Sequence, residues 1–186
     1  MRKICRHLIA LGLFGLVAAT DARVVDVQPA GFTSTHTLDI AASPARVYEA
    51  LTRDVGRWWD SAHSFSGSAE NFSLDAVPGG CFCEQLPDGG HVRHMSVVYA
   101  APGERLRLSG GLGPLQTMGV AGNMEFRLEL AGPESTRLEY TYAVGGYAPG
   151  GLDVLAEPVD RVQLGQLQRL KRYVETGSPA APDQGE

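Results

Sequence analysis

Cysteine, unbroken apolar runs and nucleotide-binding signatures are scarce in this chain, and each scarcity removes a class of function. Of its three cysteines, Cys5 sits in a basic N-terminal stretch, which leaves only Cys81 and Cys83 for the remainder. A metal centre would need further ligands close by in sequence, and none stand there. No G-x-x-x-x-G-K run occurs, so a bound nucleotide would lack its phosphate cradle. The apolar run from Leu8 to Ala19 is shorter than the roughly 20 residues that span a bilayer, and it carries no polar stripe. No cluster of side chains forms a complete catalytic site, and nothing in the sequence calls for a cofactor.

What is present begins with that apolar run. Arg2, Lys3 and Arg6 precede it, and Ala18, Ala19 and Ala22 close it. Basic, apolar and small-residue regions in that order predict a secretory signal peptide over residues 1–22, cleaved after Ala19 or Ala22. No cysteine follows the run where a lipid would attach, so the expected product is a soluble exported protein, periplasmic or secreted. Cleavage removes three basic residues and Asp21, taking the formal balance from −5 to −7. An acidic chain of this kind argues against nucleic acid and anionic membrane as partners. Cys81 and Cys83 flank Phe82 in a predicted strand. Residues two apart in a regular strand lie near the upper limit of about 7 Å for a disulfide, so two packed thiols are expected even though export permits oxidation.

The composition of the full 186-residue chain, 44% hydrophobic and 20% charged, fits one globular domain plus the N-terminal appendage. From Phe32 to Ile40 the pattern alternates, with Phe32, Ser34, His36, Leu38 and Ile40 on one side. Ser43-Pro44 supplies a cap and a proline at the first helical position, and Val47, Tyr48, Ala50 and Leu51 follow at helical spacing to about Arg53. Asp54 to Trp59 forms a second short helical turn. Glycine and proline turns then divide a meander of six strands, whose hairpins make the sheet antiparallel. Its expected inward sets are Phe72 and Leu74; Met95, Val97 and Tyr99; Leu106 and Leu108; Met124, Phe126, Leu128 and Leu130; and Leu138, Tyr140 and Tyr142. Leu155, Val159, Val162, Leu167, Leu170, Tyr173 and Val174 mark a closing helix that starts or kinks near Glu157 because of Pro158 and stops at Gly177. Residues 178–186, rich in proline and alanine, are expected to be disordered.

These features carry a resemblance. Ser43-Pro44-Ala45-Arg46-Val47-Tyr48-Glu49-Ala50-Leu51, the Arg57-Trp58-Trp59 step, the Val77-Pro78-Gly79-Gly80 and Ala101-Pro102-Gly103-Glu104 turns, and the helix Leu167-Gln168-Arg169-Leu170-Lys171-Arg172-Tyr173-Val174 resemble the SRPBCC superfamily. Within it, the closest likeness is to the activator of heat-shock-protein-90 ATPase homologue group; START lipid-transfer domains and polyketide cyclases/dehydrases are other members. The resemblance covers residues 31–177 and implies an α+β helix-grip fold. A curved antiparallel sheet would wrap around a long C-terminal helix, with two short helices after the first strand and a deep hydrophobic cavity under the long helix. It implies no single reaction. An exported chain would meet neither the cytosolic chaperone nor, ordinarily, ATP, so co-chaperone activity is not carried over.

The expected partner is therefore a small hydrophobic molecule, a lipid, an aromatic or a polyketide-like compound; a cyclase or dehydratase and a protein-interaction module are the alternatives. The oligomeric state is open. Cavity-lining candidates are Trp58 and Trp59 at the junction of helices and sheet, Phe72, Met95, Val97 and Leu108 from the strands, and Phe126 beside them. Tyr99, Tyr140 and Tyr142 add hydroxyl tips to apolar bodies, and Leu155, Val159 and Val162 come from the closing helix. His36 shares the inward side of its strand and could hydrogen-bond a ligand or move a proton. The plainer and preferred expectation has strand parity slipping near Thr35 and the ring at a solvated rim. Parity places His91 and Arg93 with Met95 and turns His94 away. Arg93 could fix an acidic ligand group at the pocket mouth, though a solvated hairpin end is the preferred expectation, and Asp60, Ser61 and His63 are too close in sequence to converge as a triad. An extensive exposed surface at Trp58 or Trp59 would favour the interaction module.

Overall fold

The computed structural model describes residues 22–181. The predicted signal peptide, apart from Ala22, lies outside the described residues, as do residues 182–186 of the predicted tail. Eight antiparallel strands form one sheet: β1 (Ala22–Gln28), β2 (Gly31–Ile40), β3 (Phe72–Leu74), β4 (Cys81–Gln85), β5 (His91–Ala101), β6 (Arg105–Gly110), β7 (Gly119–Gly132) and β8 (Ser135–Tyr147). Their order across the sheet is β1-β2-β8-β7-β6-β5-β4-β3. Helices α1 (Pro44–Arg53) and α2 (Val55–Trp58) follow β2, and α3 (Asp153–Thr176) closes the chain. This is the helix-grip α+β arrangement, with the meander of six strands returning to lie beside β2.

Local chemistry explains the element ends. The Ser43 side chain accepts a hydrogen bond from the Arg46 amide, satisfying one of the free donors of the first turn of α1, and Pro44 needs no donor there. Gly177 ends α3 at φ 80°, in the left-handed region, and its amide donates to the Tyr173 carbonyl at 2.8 Å. Helix α3 starts at Asp153, ahead of the start expected near Glu157, and carries Pro158 within it. Strand β1 was not anticipated from the sequence. It pairs along β2 from Ala22 opposite His36 to Gln28 opposite Gly31.

Every second residue of β2 is buried, from Phe32 through Ser34, His36 and Leu38 to Ile40. The slip near Thr35 does not occur, because β2 pairs without interruption with β8 from Gly31 to Ile40. His36 is therefore interior, only 2% exposed, and not at a solvated rim. On the other side of the core, Leu167, Leu170 and Tyr173 of α3 are buried with Leu38, Leu138 and Val47. Trp58 and Trp59 are both buried, and each indole N–H is used: Trp58 donates to the Ala50 carbonyl at 2.8 Å and Trp59 to the His63 carbonyl at 3.0 Å.

Strand β5 departs from simple alternation twice. Phe82 pairs with Met95 but Cys83 with Arg93, so His94 is an extra residue. Val97 pairs with Leu108 but Tyr99 with Arg107, so Val98 is another. Such bulges shift the parity of all that follows. The first turns His94 inward beside Met95, against expectation; the second turns Tyr99 outward, where it is 42% exposed and lies under the guanidinium groups of Arg105 and Arg107. Leu130 is also exposed rather than inward, at the β7–β8 hairpin end where the ladder becomes irregular. Cys81 and Cys83 form a disulfide with a Cα separation of 5.3 Å, within the usual range, and do not remain thiols.

Leu170 lies at the centre of the helix-to-sheet contact, and truncation there leaves a cavity. Leu170→Ala should lower unfolding free energy in urea by about 3 kcal/mol. Val154→Ala, on the exposed side of the same helix, should change it by less than about 0.5 kcal/mol.

Candidate functional site

One face of the first half of α3 spans an open space, while Asp160 and Gln163 of the same half reach β2 and β8. Below it lies a pocket of about 380 Å³, within the range of small-molecule sites. Leu155, Pro158, Val159, Val162 and Gln163 form its roof, at spacings that put them on one face of α3. His94 of β5 and Tyr142 of β8 enter from the sheet. Leu112 and Leu115 come from the loop between β6 and β7, and Trp59, His63 and Phe65 from the segment after α2. The lining is mostly apolar and rich in aromatic rings.

Helix α3 fixes one wall of this pocket through polar contacts. Arg169 donates to the carbonyls of Trp58 and Trp59, at 2.8 and 3.3 Å. Gln166 accepts from the Asp60 amide at 2.9 Å. Asp60 and Ser61 are occupied as turn formers, accepting from the amides of Ala62 and Ala69 respectively, at 3.0 Å each. The corner holding Trp59 is thus anchored to the helix that roofs the site.

Two histidine–carboxylate pairs lie in this half of the molecule, one wholly buried and one with a half-buried carboxylate. Glu84, fully buried on β4, accepts from the Phe65 and Ser66 amides and, at 2.9 Å, from His94 Nε2. Burial pushes the Glu84 carboxyl up, but the hydrogen bonds from Ser66, Phe65 and His94 outweigh it and hold the carboxyl below its ordinary value. An ionised carboxylate only accepts, so the His94 proton sits on Nε2. Burial lowers the pKa of His94 against the opposing pull of Glu84, which favours the neutral ring with Nδ1 as its accepting nitrogen. Gln116 reaches that nitrogen at 3.4 Å.

The second pair is His36 and Asp160, 3.0 Å apart, with Ser34 also donating to Asp160. Burial lowers the His36 pKa, and its Nδ1 has no partner among the described residues. Both Ser34 and His36 converge on one carboxylate oxygen, so the trio lacks the serine-to-imidazole-to-acid relay of a nucleophilic triad. Beside it, Tyr140 donates to Gln163 Oε1 at 2.7 Å. Burial raises the Tyr140 hydroxyl well above its ordinary value and takes Tyr142 up to about 12, so both stay protonated.

The residues singled out from sequence separate into three groups. Trp59, Tyr142, Leu155, Val159 and Val162 border the pocket. His36, Trp58, Phe72, Met95, Val97, Leu108, Phe126 and Tyr140 are buried in the surrounding core and do not border it. Tyr99 is on the opposite face of the sheet. Sequence reasoning missed His94, Glu84, Gln163 and the loop residues Leu112 and Leu115. One signal was available for Glu84: it shares the parity of Phe82, and a carboxylate on an inward face requires a buried partner. Arg93 is exposed and stands away from the pocket. Among the described residues no three His, Cys, Asp or Glu side chains group as metal ligands, and no helix is long and apolar enough to cross a membrane.

An antiparallel sheet gripping one long helix, with an apolar pocket between them, defines the helix-grip class of α+β domains. The profile of the polyketide cyclase / dehydrase and lipid transport family matches residues 31–175, and the chain belongs to that family. This agrees with the SRPBCC resemblance. A comparison with curated proteins finds no match. Among solved structures, the chain is similar to a conserved protein of unknown function, EF2215 from Enterococcus faecalis, at 19% identity and TM-score 0.60, covering 90% of this chain and 82% of that one. It is similar to CalU16 from Micromonospora echinospora, at 16% identity and TM-score 0.57, covering 89% and 88%. It is also similar to the Aha1 dimer from Colwellia psychrerythraea, at 19% identity and TM-score 0.52, covering 78% and 97%. At these identities the likeness is one of fold.

The buried histidines set a pH dependence. Both are lowered from 6.5 by burial, so below that pH the unfolded chain binds protons that the folded chain refuses. Stability in urea should be highest above pH 6.5 and fall as pH drops towards the folded-state values, with uptake of up to about two protons on unfolding. Glu84 adds a loss at lower pH, as the carboxyl titrates below 4.5. His36→Gln should make the first decline shallower, as measured by urea midpoints across pH.

Proposed function

We propose that this chain is an exported protein that binds one small, mostly apolar molecule in the pocket under α3. The observation that carries this reading is the pocket itself, about 380 Å³ and walled by Trp59, Tyr142, Leu155, Val159 and Val162. A site of that size suits a lipid fragment, an aromatic or a polyketide-like compound, in keeping with the family description. An apolar naphthalene-type fluorescent probe should bind the protein, shift its own emission and quench tryptophan. Val159→Trp, which places an indole in the space, should weaken the probe at least about tenfold while the protein stays folded. Failure of any apolar probe to bind would remove the main support for this reading.

A cyclase or dehydratase activity on the same ligand is the second reading. It is favoured by one observation, that a neutral, carboxylate-held histidine borders the pocket. A protein-interaction surface built on the tryptophans has no comparable support, since both indoles are buried.

Export is the other part of the proposal. It rests on the basic, apolar and small-residue order of residues 1–22, and the Cys81–Cys83 disulfide suits an oxidising compartment. N-terminal sequencing of protein recovered outside the cytoplasm should start at Thr20 or Arg23. An intact Met1 terminus on cytoplasmic protein would overturn it.

A further inference from the structure

The Glu84–His94 pair raises a question of recognition that the apolar lining does not. A carboxylate and an imidazole are costly to bury, and the fold spends a β-bulge to turn His94 inward. The ring is held on all sides. Phe65 and Phe72 stack on it at 5.8 and 5.0 Å between centroids, and Phe82 lies tilted against it at 5.5 Å. Glu84 accepts the hydrogen bond of its Nε2–H. Only Nδ1 remains without a firm partner, since the Gln116 contact is long, at 3.4 Å, and comes from an exposed side chain. Gln116 belongs to the turn whose neighbours Pro114 and Leu115 border the pocket.

We propose that Glu84 and His94 form an acceptor site for the hydroxyl of a ring-bearing ligand, with His94 Nδ1 receiving the hydrogen bond of a phenol or enol. This rests on the pocket-binding reading above and narrows its ligand class. The chemistry selects a neutral donor. A carbonyl would set acceptor against acceptor, and an anion would face the buried negative charge of Glu84 behind the ring. A cation would lose its hydration to reach a carboxylate already engaged by two amides and an imidazole. A phenolic or enolic hydroxyl donates more strongly than an alkyl one, and the aromatic walls of Trp59, Phe65 and Tyr142 suit a flat skeleton. Glu84 is a positioning residue here: it never meets the ligand and acts by fixing which ring nitrogen carries the proton.

The test compares three ligands of one skeleton by fluorescence titration at neutral pH: naphthalene, 2-methoxynaphthalene and 2-naphthol. All three should bind, and 2-naphthol should bind about tenfold more tightly than 2-methoxynaphthalene, the worth of one buried hydrogen bond. Equal affinity of the two would overturn the hydroxyl site and leave the pocket standing. No binding of any would overturn the pocket reading on which it rests. In Glu84→Gln one side-chain oxygen must serve the Phe65 and Ser66 amides; when the NH2 turns to Nε2 the ring proton moves to Nδ1 and the wall becomes a donor, a switch that nitrogen NMR of the variant reads. The preference for 2-naphthol should then vanish or reverse, whereas a merely structural role for Glu84 would weaken all three ligands alike. Should that variant fail to fold, nitrogen NMR of histidine-labelled unaltered protein reads the tautomer directly. An unprotonated Nδ1 whose resonance moves with 2-naphthol and not with naphthalene supports the site, and a protonated or unresponsive Nδ1 overturns it.

Discussion

The structure depends on one contact, the apolar face of α3 laid across the concave side of the sheet. Its second half carries Leu167, Leu170 and Tyr173 into the core, while Arg169 and Gln166 fasten the Trp58–Asp60 corner. Burial supplies the driving force and the hydrogen bonds supply register. The first half of the same helix meets β2 and β8 through Asp160 and Gln163, while Trp59 and the loop between β6 and β7 stand apart from its apolar face across an open space. A hollow under Leu155, Val159 and Val162 follows from that geometry.

The two bulges of β5 decide the chemical character of the hollow. Without the first, His94 would face solvent and Glu84 would be a buried charge with no imidazole against it. The second returns Tyr99 to the solvated face, where arginines cover it. A single inserted residue in each place exchanges an outer side chain for an inner one, because side chains alternate strictly along a strand. Bulges next to binding sites are a common way to aim a side chain without disturbing the remainder of a sheet.

The polar groups of the interior are grouped rather than scattered. Ser34, His36 and Asp160 share one carboxylate oxygen, Tyr140 and Gln163 pair beside them, and Glu84 collects three donors. Each group would be costly alone in an apolar surrounding. This grouping also separates what the fold implies from what the site does. Relatives below 20% identity share the sheet and helix, so the particular ligand must be argued from side chains such as His94.

Much of the architecture was legible along the chain. The alternation of Phe32 to Ile40, the Ser43-Pro44 cap, the glycine and proline turns and the stripe from Leu155 to Val174 each express a local rule of strand, helix or turn, and a local rule needs no knowledge of the neighbours. The apolar roof of the pocket was legible for the same reason, through Leu155, Val159 and Val162. Strand β1, the inward turn of His94, the outward turn of Tyr99 and the closure of Cys81 on Cys83 were not. The first three depend on pairing between strands, and a bulge is a mismatch between two strands that neither one reveals by itself; the fourth depends on how closely two neighbours in one strand approach. The sequence on its own determined which segments fold and which faces are apolar, because periodicity and capping are properties of a single segment. The tertiary structure alone decided which polar side chains meet in the interior, because that choice is made by register across a sheet.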